Sequence, residues 1–305
     1  MSVSFYVQNK KKFLGYEPVL NVETALSLLD KELYSYNTGN IDINDLLLSP
    51  VSNYQCLIIG DGKDSSRGFE LFYDNKDKYY SVRVFTPSSR EDWLLALEYI
   101  KALAKKFGSK IISETGEEYT AENIDKFDYE RDILYGIEVI SSRVKGDEPT
   151  LYSIFGINRV VSFNQEMIDK IENSDSPIDT FSNIVKEIQY LDAYSANQRF
   201  FKNKEDGGIR GAYTLTQNVR TILPYKPSVE FENSDIVKNE DIAFWDIGLV
   251  TIDGDENDKN SYNVAAYLNY DDFIKNLPEN KYRFIDASYI MVEPLNREEL
   301  LGLVK

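Results

Sequence analysis

The sequence of 305 residues contains no histidine and only one cysteine. The absence of histidine excludes Ser-His-Asp triads, Cys-His pairs and every histidine-ligated zinc, copper or iron site. The single Cys56 cannot form an intramolecular disulfide, and its apolar neighbours predict a small buried hydrophobe. We therefore predict no catalytic residue, no metal site and no cofactor. Any catalysis would depend on carboxylate, tyrosine, lysine or serine side chains.

Glycine and proline are also sparse, with 16 and 9 residues, so long disordered tracts are not expected. No apolar run approaches the roughly 18–20 residues that span a bilayer. Residues 1–7 lack the charged and then apolar pattern of a secretion signal. These features predict a cytoplasmic protein.

Basic residues are outnumbered, since 34 Lys and Arg face 51 Asp and Glu, for a net charge of −17. A chain this negative repels phosphate backbones and anionic lipids, so neither nucleic acid nor a membrane is an expected partner. A basic protein is the partner that electrostatics favours. The alternative is that the acidity only maintains solubility, and the oligomeric state is not determined by these features.

The chain length fits about two domains of ~100–200 residues each. A polar, turn-rich stretch at residues 145–149 predicts the boundary, with one domain at 1–147 and the other at 148–305. We expect an α+β fold of two sheet-and-helix units with mainly antiparallel strands.

The two units could be a decayed duplication. Residues 80–82 and 92–93 (Tyr-Ser-Val and Asp-Trp) align with residues 262–264 and 272–273 (Tyr-Asn-Val and Asp-Phe). The alternative is chance, because amphipathic elements often produce such pairs.

The first unit has the clearest pattern. Residues 56–59, 69–73 and 79–85 predict a three-stranded meander. A helix follows at residues 90–107, because Trp93 opens an apolar stripe at helical spacing and Gly108 suits the helix end. A strand at residues 110–113 then returns to the sheet.

The later elements are less regular. We expect strands at residues 155–163, 219–225, 244–252, 262–268 and 283–292. Helices are expected at residues 177–196 and 271–277, and Asn296 should begin a final helix with Glu299 at its third position.

Two loops invite functional interpretations that their details do not support. Residues 253–257 open like a calcium loop, but Asp258 and Val264 stand where that loop needs Gly and Glu. Residues 60–68 are glycine-containing but lack the Gly-Lys-Ser/Thr of a phosphate loop. Both are therefore interpreted as hairpin loops.

The most unusual composition lies between residues 190 and 225, where tyrosine, phenylalanine and arginine are concentrated. Tyr and Arg are enriched at binding hot spots, and Arg forms forked contacts with carboxylates. The alternative is that the arginines only balance nearby acids. The residues predicted to bind a partner or ligand are Tyr194, Arg199, Phe201, Arg210, Tyr213 and Tyr225.

Four segments carry a resemblance to a known family: residues 1–7 (Met-Ser-Val-Ser-Phe-Tyr-Val), 65–70 (Ser-Ser-Arg-Gly-Phe-Glu), 84–93 (Val-Phe-Thr-Pro-Ser-Ser-Arg-Glu-Asp-Trp) and 222–227 (Ile-Leu-Pro-Tyr-Lys-Pro). The chain resembles an uncharacterised family of bacterial proteins, mostly from Firmicutes, named as domain of unknown function number 4299. The resemblance covers the whole chain. It implies a bacterial cytoplasmic setting but no activity, ligand or site residue.

The leading functional hypothesis is a non-enzymatic protein-binding module, for example an immunity or inhibitor protein that covers a basic target. The alternative is a carboxylate- or tyrosine-dependent enzyme acting on a small ligand such as a sugar or a cationic metabolite. A third class, an acidic mimic of nucleic acid, would need its carboxylates in a stripe on one face. Because histidine is absent, stability should be nearly constant between about pH 6 and 8 unless a buried group is strongly shifted.

Overall fold

The computed structural model describes residues 1–39, 41–146, 150–202 and 207–304. The chain divides into two compact units, Met1–Tyr190 and Leu191–Lys305. The boundary predicted between residues 147 and 148 lies outside the described residues. Residues 150–190, which the sequence assigned to the second domain, belong to the first unit.

The first unit contains an antiparallel sheet of seven strands. The strands are β1 (Ser2–Gln8), β2 (Leu33–Ser35), β3 (Leu57–Asp61), β4 (Phe69–Asp74), β5 (Tyr79–Phe85), β6 (Ile111–Ser113) and β7 (Glu118–Tyr119). Their order is β2-β3-β4-β5-β1-β6-β7, so the predicted meander is extended by β1, which lies between β5 and β6. Residues 60–68 join the antiparallel strands β3 and β4, as expected of a hairpin loop.

The described helices of this unit are α1 (Val22–Leu26), α2 (Ile43–Leu48), α3 (Arg90–Phe107), α4 (Tyr129–Val144), α5 (Gln165–Glu172) and α6 (Pro177–Gln189). Helix α3 begins and ends as predicted. The hydroxyl of Ser89 accepts a hydrogen bond from the backbone N–H of Asp92, and Gly108 adopts a left-handed conformation with φ of 62°. Glycine has no Cβ to oppose that conformation.

Helix α3 buries its apolar stripe against the sheet. Trp93 is completely buried, with its ring edge-on to Phe5 at 6.5 Å and stacked on Phe127 at 5.3 Å between centroids. The prediction that Trp93 lies in the core is confirmed. Full burial of one such large side chain stabilises the fold by roughly 1.5–3 kcal/mol.

Three predictions in this unit need correction. The strand expected at residues 155–163 is a hairpin of β8 (Tyr152–Phe155) and β9 (Val160–Phe163), because the N–H of Gly156 bonds to the carbonyl of Arg159 and turns the chain. Helix α6 ends at Gln189 instead of residue 196. Cys56 is only half-buried and precedes β3; burial, with Glu70 nearby, raises the pKa of its thiol.

The second unit contains two four-stranded sheets. The strands are β10 (Tyr194–Ser195), β11 (Arg199–Lys202), β12 (Ile209–Thr216), β13 (Thr221–Pro224), β14 (Ile242–Ile252), β15 (Tyr262–Asn269), β16 (Tyr282–Phe284) and β17 (Tyr289–Val292). The orders are β10-β13-β17-β16 and β11-β12-β14-β15. Two pairs, β10 with β13 and β12 with β14, are parallel, and the other pairs are antiparallel. The α+β class with mainly antiparallel strands is thus confirmed.

Helices α7 (Tyr270–Asn276) and α8 (Arg297–Leu301) complete this unit. Its core combines side chains from both sheets and both helices, including Tyr213, Ile247, Phe273 and Leu300.

Short 3-10 turns occur in both units, at Val51–Asn53, Ile124–Lys126, Phe231–Asn233, Asn239–Asp241, Lys259–Ser261 and Glu279–Lys281.

The strand expected at residues 283–292 is two strands, β16 and β17. Asp286 makes the turn between them, because its Oδ1 accepts hydrogen bonds from the N–H groups of Ser288 at 2.8 Å and Tyr289 at 2.7 Å. This is the local side-chain bonding that allows aspartate to interrupt a strand.

The aligned segments have different settings in the two units. Tyr80 and Val82 are completely buried in β5, an interior strand, whereas Tyr262 and Val264 are more than 40% exposed in β15, the outermost strand of its sheet. The aligned aromatic residues, Trp93 in the first unit and Phe273 in the second, are both completely buried.

Candidate functional site

Two of the family-like segments meet at Asp92, which is completely buried at the start of α3. Its carboxylate accepts six hydrogen bonds. In residues 65–68 the donors are the N–H and hydroxyl of Ser66 and the N–H groups of Arg67 and Gly68; in residues 84–93 they are the hydroxyls of Ser88 and Ser89. Asp92 therefore fixes the β3–β4 loop to the beginning of α3.

Arg67, beside this carboxylate, is 8% exposed. Its guanidinium donates to the carbonyl of Phe155 at 2.8 Å and to that of Pro87, and lies 4.7 Å from the ring centroid of Phe85. Burial lowers the pKa of Arg67 to about 10, although nearby Asp92 opposes the shift. The hydrogen-bonding groups of Asp92 and Arg67 are thus used within the first unit. These two residues connect its segments and leave few donors or acceptors for a ligand.

Asp132 on α4 is the most unusual carboxyl group of this region. Burial raises its pKa to about 6. The hydrogen bond donated by the Thr86 hydroxyl lowers the pKa, and so does the indole of Trp93. Glu114 adds to the upward shift. This group can change charge just below neutral pH, which the absence of histidine had made unexpected.

A different kind of surface lies on the second unit, on the sheet β11-β12-β14-β15. Successive side chains of a strand point to opposite faces. Tyr213 and Ile247 point into the core, so Arg210, Phe244 and Asp246 lie on the other face, which we call the outer face. Phe201 pairs with Arg210, and Tyr267 with Gly248, which places both aromatic rings on the same face.

Arg210 is the centre of the outer face. Its guanidinium carbon is 4.7 Å from the ring centroid of Phe201 and 5.1 Å from that of Tyr267. Nη1 lies 3.2 Å from Oδ2 of Asp246, whose side chain is only 6% exposed. Cation–π contacts of this kind are worth about 0.5–2 kcal/mol, more where water is excluded. The guanidinium of Arg210 is therefore held by two aromatic rings and a carboxylate.

Asp246 itself is incompletely satisfied. Its Oδ1 is buried and makes no hydrogen bond with the described residues. Burial raises the pKa of this carboxyl, and Arg210 opposes the rise. A buried acceptor without a donor costs roughly 1–3 kcal/mol, so the outer face contains a polar group that would gain from an added donor.

Gly248 explains why Tyr267 can lie across the outer face. A Cβ at Gly248 would be 3.2 Å from Cε1 of Tyr267 and 3.7 Å from Cγ2 of Thr214. The missing side chain lets the tyrosine ring cross β14 and reach Arg210. Phe201, Phe244 and Tyr267 remain 44%, 50% and 54% exposed, which gives the outer face three aromatic rings open to solvent.

The structure brings some of the predicted binding residues together and separates others. Phe201 and Arg210 are in contact, and Arg199 lies on the same face through its pairing with Ala212. Tyr194 and Tyr225 lie with the other sheet: Tyr194 in β10, and Tyr225 next to β13 with its ring 4.9 Å from that of Phe284.

Tyr213 is on the core face and is almost completely buried. Its hydroxyl accepts a hydrogen bond from Nε2 of Gln198 at 2.7 Å and donates to Oε1 of Glu230 at 3.2 Å. Burial raises the pKa of both Tyr213 and Glu230. This residue supports the sheet from behind and is not placed to touch a partner on the outer face.

Phe244, Asp246 and Tyr267 were not among the binding residues predicted from the sequence. The available signal was the period-two alternation of residues 244–249 (Phe-Trp-Asp-Ile-Gly-Leu), which places an aromatic ring, a carboxylate and a glycine on one face.

Described residues of both units also line cavities. One of about 290 Å³ adjoins the outer face and is lined by Phe201, Lys202, Gly208, Ile209, Arg210, Ala243 and Phe244. Two lie in the first unit near α1: one of about 470 Å³ includes Glu23, Asp30 and Glu32 in its lining, and one of about 670 Å³ includes Lys105 and Lys106. Within the described ranges, no three or more Cys, Asp and Glu side chains are grouped so as to hold a metal ion.

No helix among the described residues is both long enough and apolar enough to cross a bilayer. The fold and the outer face define an α+β protein of two compact units, one of which carries a solvent-open aromatic and arginine surface. The chain belongs to the family described as Domain of unknown function (DUF4299), whose model matches residues 2–303. No curated protein and no solved structure matches the chain.

Proposed function

We propose that this chain is a non-enzymatic protein-binding module of the bacterial cytoplasm, acting on a basic partner in the manner of an immunity or inhibitor protein. The observation that carries the proposal is the outer face, where Phe201, Phe244 and Tyr267 are about half exposed around Arg210. Aromatic residues and arginine contribute most of the binding energy at protein interfaces.

Rigidity adds to this argument. Arg210 is held by two rings and by Asp246, so little side-chain entropy is lost when a partner covers it. Asp246 offsets the charge of Arg210, so this arginine by itself does not attract acidic ligands strongly. The net charge of −17 then favours an approaching basic protein.

At the outer face, the enzyme alternative has no support of similar weight. The cavity beside the outer face is lined by Lys202, Arg210 and mainly apolar residues, and its described lining contains no carboxylate pair. Acid–base catalysis by carboxylates would need two such groups close to a bound substrate.

The test is a pull-down from a lysate of the source organism with the full chain as bait, at about 50 mM and about 300 mM salt. We expect one dominant partner, retained better at low salt and reduced about tenfold or more by Tyr267→Ala together with Phe244→Ala. The matched control is Tyr135→Ala, which removes an exposed ring of similar accessibility from α4 of the first unit.

Equal loss in the control, or no enriched partner at either salt concentration, would contradict the proposal. Circular dichroism of each variant should remain that of the unmodified protein, because half-exposed side chains contribute less to the core.

A further inference from the structure

The edges of the sheets differ strongly in how they are protected. The described outer strands β2, β7, β10, β11 and β16 are two to four residues long, whereas β15 has eight residues. Strand β11 carries Arg199 and Lys202, and β16 carries Arg283, but β15 (Tyr-Asn-Val-Ala-Ala-Tyr-Leu-Asn) has no charged residue and no proline. Short length and charge are the usual protections of an edge strand against pairing with another chain, and β15 lacks both.

The side chains of β15 leave this edge accessible. Tyr262, Val264 and Tyr267 are 41%, 49% and 54% exposed, and Tyr267 also belongs to the outer face. The pairing with β14 skips Ala265, which forms a bulge. The bulge leaves regular runs at residues 262–264 and 266–269, so an added strand would pair most regularly with the second run.

Acidic residues lie at both ends of this uncharged strand. The loop before it contains exposed Asp255, Glu256 and Asp258 with a single basic residue, exposed Lys259, and exposed Asp271 follows the strand. None of these four acidic residues forms an ion pair with another described residue; Asp253 is paired with Arg297 and Asp272 with Lys275. The hydrogen bonds from Asn257 lower the pKa of Asp255 and keep that carboxylate charged.

The acidic residues at both ends of β15 determine which kind of strand can pair with its free edge. A second copy would pair its β15 antiparallel about a two-fold axis. That pairing would place the acidic loop of each copy near Asp271 of the other, and like charges would repel. An extended segment with uncharged residues in its middle and Lys or Arg at both ends would place unlike charges together instead.

We propose that β15 binds a partner by strand addition, and that the partner segment is an uncharged β-forming stretch flanked by basic residues. This inference rests on the proposed function and specifies how the basic partner is held. Backbone hydrogen bonds to β15 supply affinity in this mode, and side chains on alternate positions supply specificity. The outer face, through Tyr267, is continuous with the edge and can contact the same partner.

The test uses a synthetic ten-residue peptide with alternating threonine and valine at six central positions and two lysines at each end. Binding is measured by fluorescence anisotropy of the labelled peptide with the full chain. Hydrogen exchange is followed at Tyr262–Asn269 in parallel. We expect binding to protect amides of β15. A peptide N-methylated at alternate central residues, which keeps the charge but cannot pair as a strand on that side, should bind about tenfold more weakly or worse.

Protein variants separate strand addition from simple charge attraction. Asp255→Lys combined with Asp271→Lys should weaken the lysine peptide about tenfold or more. The matched control, Asp235→Lys combined with Glu240→Lys, makes the same change of net charge at exposed acids elsewhere in the unit and should change binding by less than about twofold. Equal binding of the N-methylated peptide, or equal weakening in the two double variants, would overturn the inference.

The two proposals fail in different ways. If the pull-down partner is lost in the Phe244 and Tyr267 variant but β15 is never protected by the peptide, the binding function stands and strand addition is refuted. If the peptide protects β15 while the pull-down yields no partner, strand addition is supported and the proposed cellular function is refuted.

Discussion

Replacing Asp92 by asparagine tests whether the six hydrogen bonds at the start of α3 hold the first unit together. The change keeps the shape of the side chain and replaces one acceptor oxygen by an NH₂ donor. All the donors that face it are buried, so water cannot replace a lost bond.

The structure sets the magnitude through the two orientations of the new amide. With nitrogen in the place of Oδ1, it faces the N–H groups of Ser66 at 3.1 Å and Gly68 at 2.9 Å. With nitrogen in the place of Oδ2, it faces only one backbone donor, the N–H of Arg67, because the serine hydroxyls can rotate and accept. One unsatisfied buried donor costs about 1–3 kcal/mol. Since the remaining bonds also lose their charge assistance, we expect a loss of about 2–4 kcal/mol in the free energy of unfolding.

The measurement is urea unfolding followed by tryptophan fluorescence in a Trp245→Phe background, so that the signal reports on Trp93 next to the substitution. The control is Asp77→Asn, which makes the same charge change at an exposed position in the turn between β4 and β5 and should cost less than about 0.5 kcal/mol. A loss below about 1 kcal/mol for Asp92→Asn, or equal losses in the two variants, would refute the assignment of Asp92 as a structural centre.

Two further predictions concern Asp132 and Gly211. Because the folded-state pKa of Asp132 is raised to about 6 from an ordinary value of 3.8, its protonated form favours the fold, so stability should fall as pH rises from about 4 to 7 and then level off. The full shift corresponds to about 3 kcal/mol, reduced to about 1–2 by solvent at a partly exposed group. Thermal melts at constant ionic strength should show this contribution as a difference in slope between the unmodified protein and Asp132→Asn, which lacks the titrating carboxyl. A Cβ at Gly211 would lie 2.3 Å from the ring of Trp245, so Gly211→Ala should destabilise the second unit by about 1–3 kcal/mol, measured by urea unfolding. The control is Gly146→Ala, whose Cβ would meet its nearest atoms at 3.6 Å, an ordinary contact distance, and which should not create such a clash. An unchanged pH dependence of melting in Asp132→Asn would contradict the first prediction, and unchanged urea unfolding of Gly211→Ala would contradict the second.

The regular parts of the fold were predictable because local signals and burial agreed. Helix α3 has a serine before it, a glycine after it and an apolar stripe along it, and the structure has it from Arg90 to Phe107. The errors occur where one side chain or one turn interrupts a pattern. Asp286 divides β16 from β17, and the turn after Gly156 divides β8 from β9, although both regions alternate like single strands.

The candidate site was only partly predictable. Arg and Tyr enrichment pointed to the correct region, but composition does not determine which face of a strand a residue occupies. Tyr213 and Arg210 are three residues apart in β12 and therefore point in opposite directions, one into the core and one to the outer face. Tyr267, more than 50 residues away, reaches Arg210 only through the β14–β15 register, a long-range pairing without a local signal.

The position of β1 has a consequence for how the first unit assembles. This strand pairs on one side with β5, where Val3 meets Val84, and on the other with β6, where Phe5 meets Ser113. Each pairing closes a long loop of n residues, and the entropy cost of closing it is several kcal/mol, roughly (3/2)RT ln n. Pairing between residues so far apart in the sequence also slows folding. During synthesis the interior of the sheet cannot be completed until Ser113 has left the ribosome. Until β1 is in place, β5 has an open edge that could recruit the wrong strand, so the rate of inserting β1 sets how long the nascent chain is exposed to misassembly.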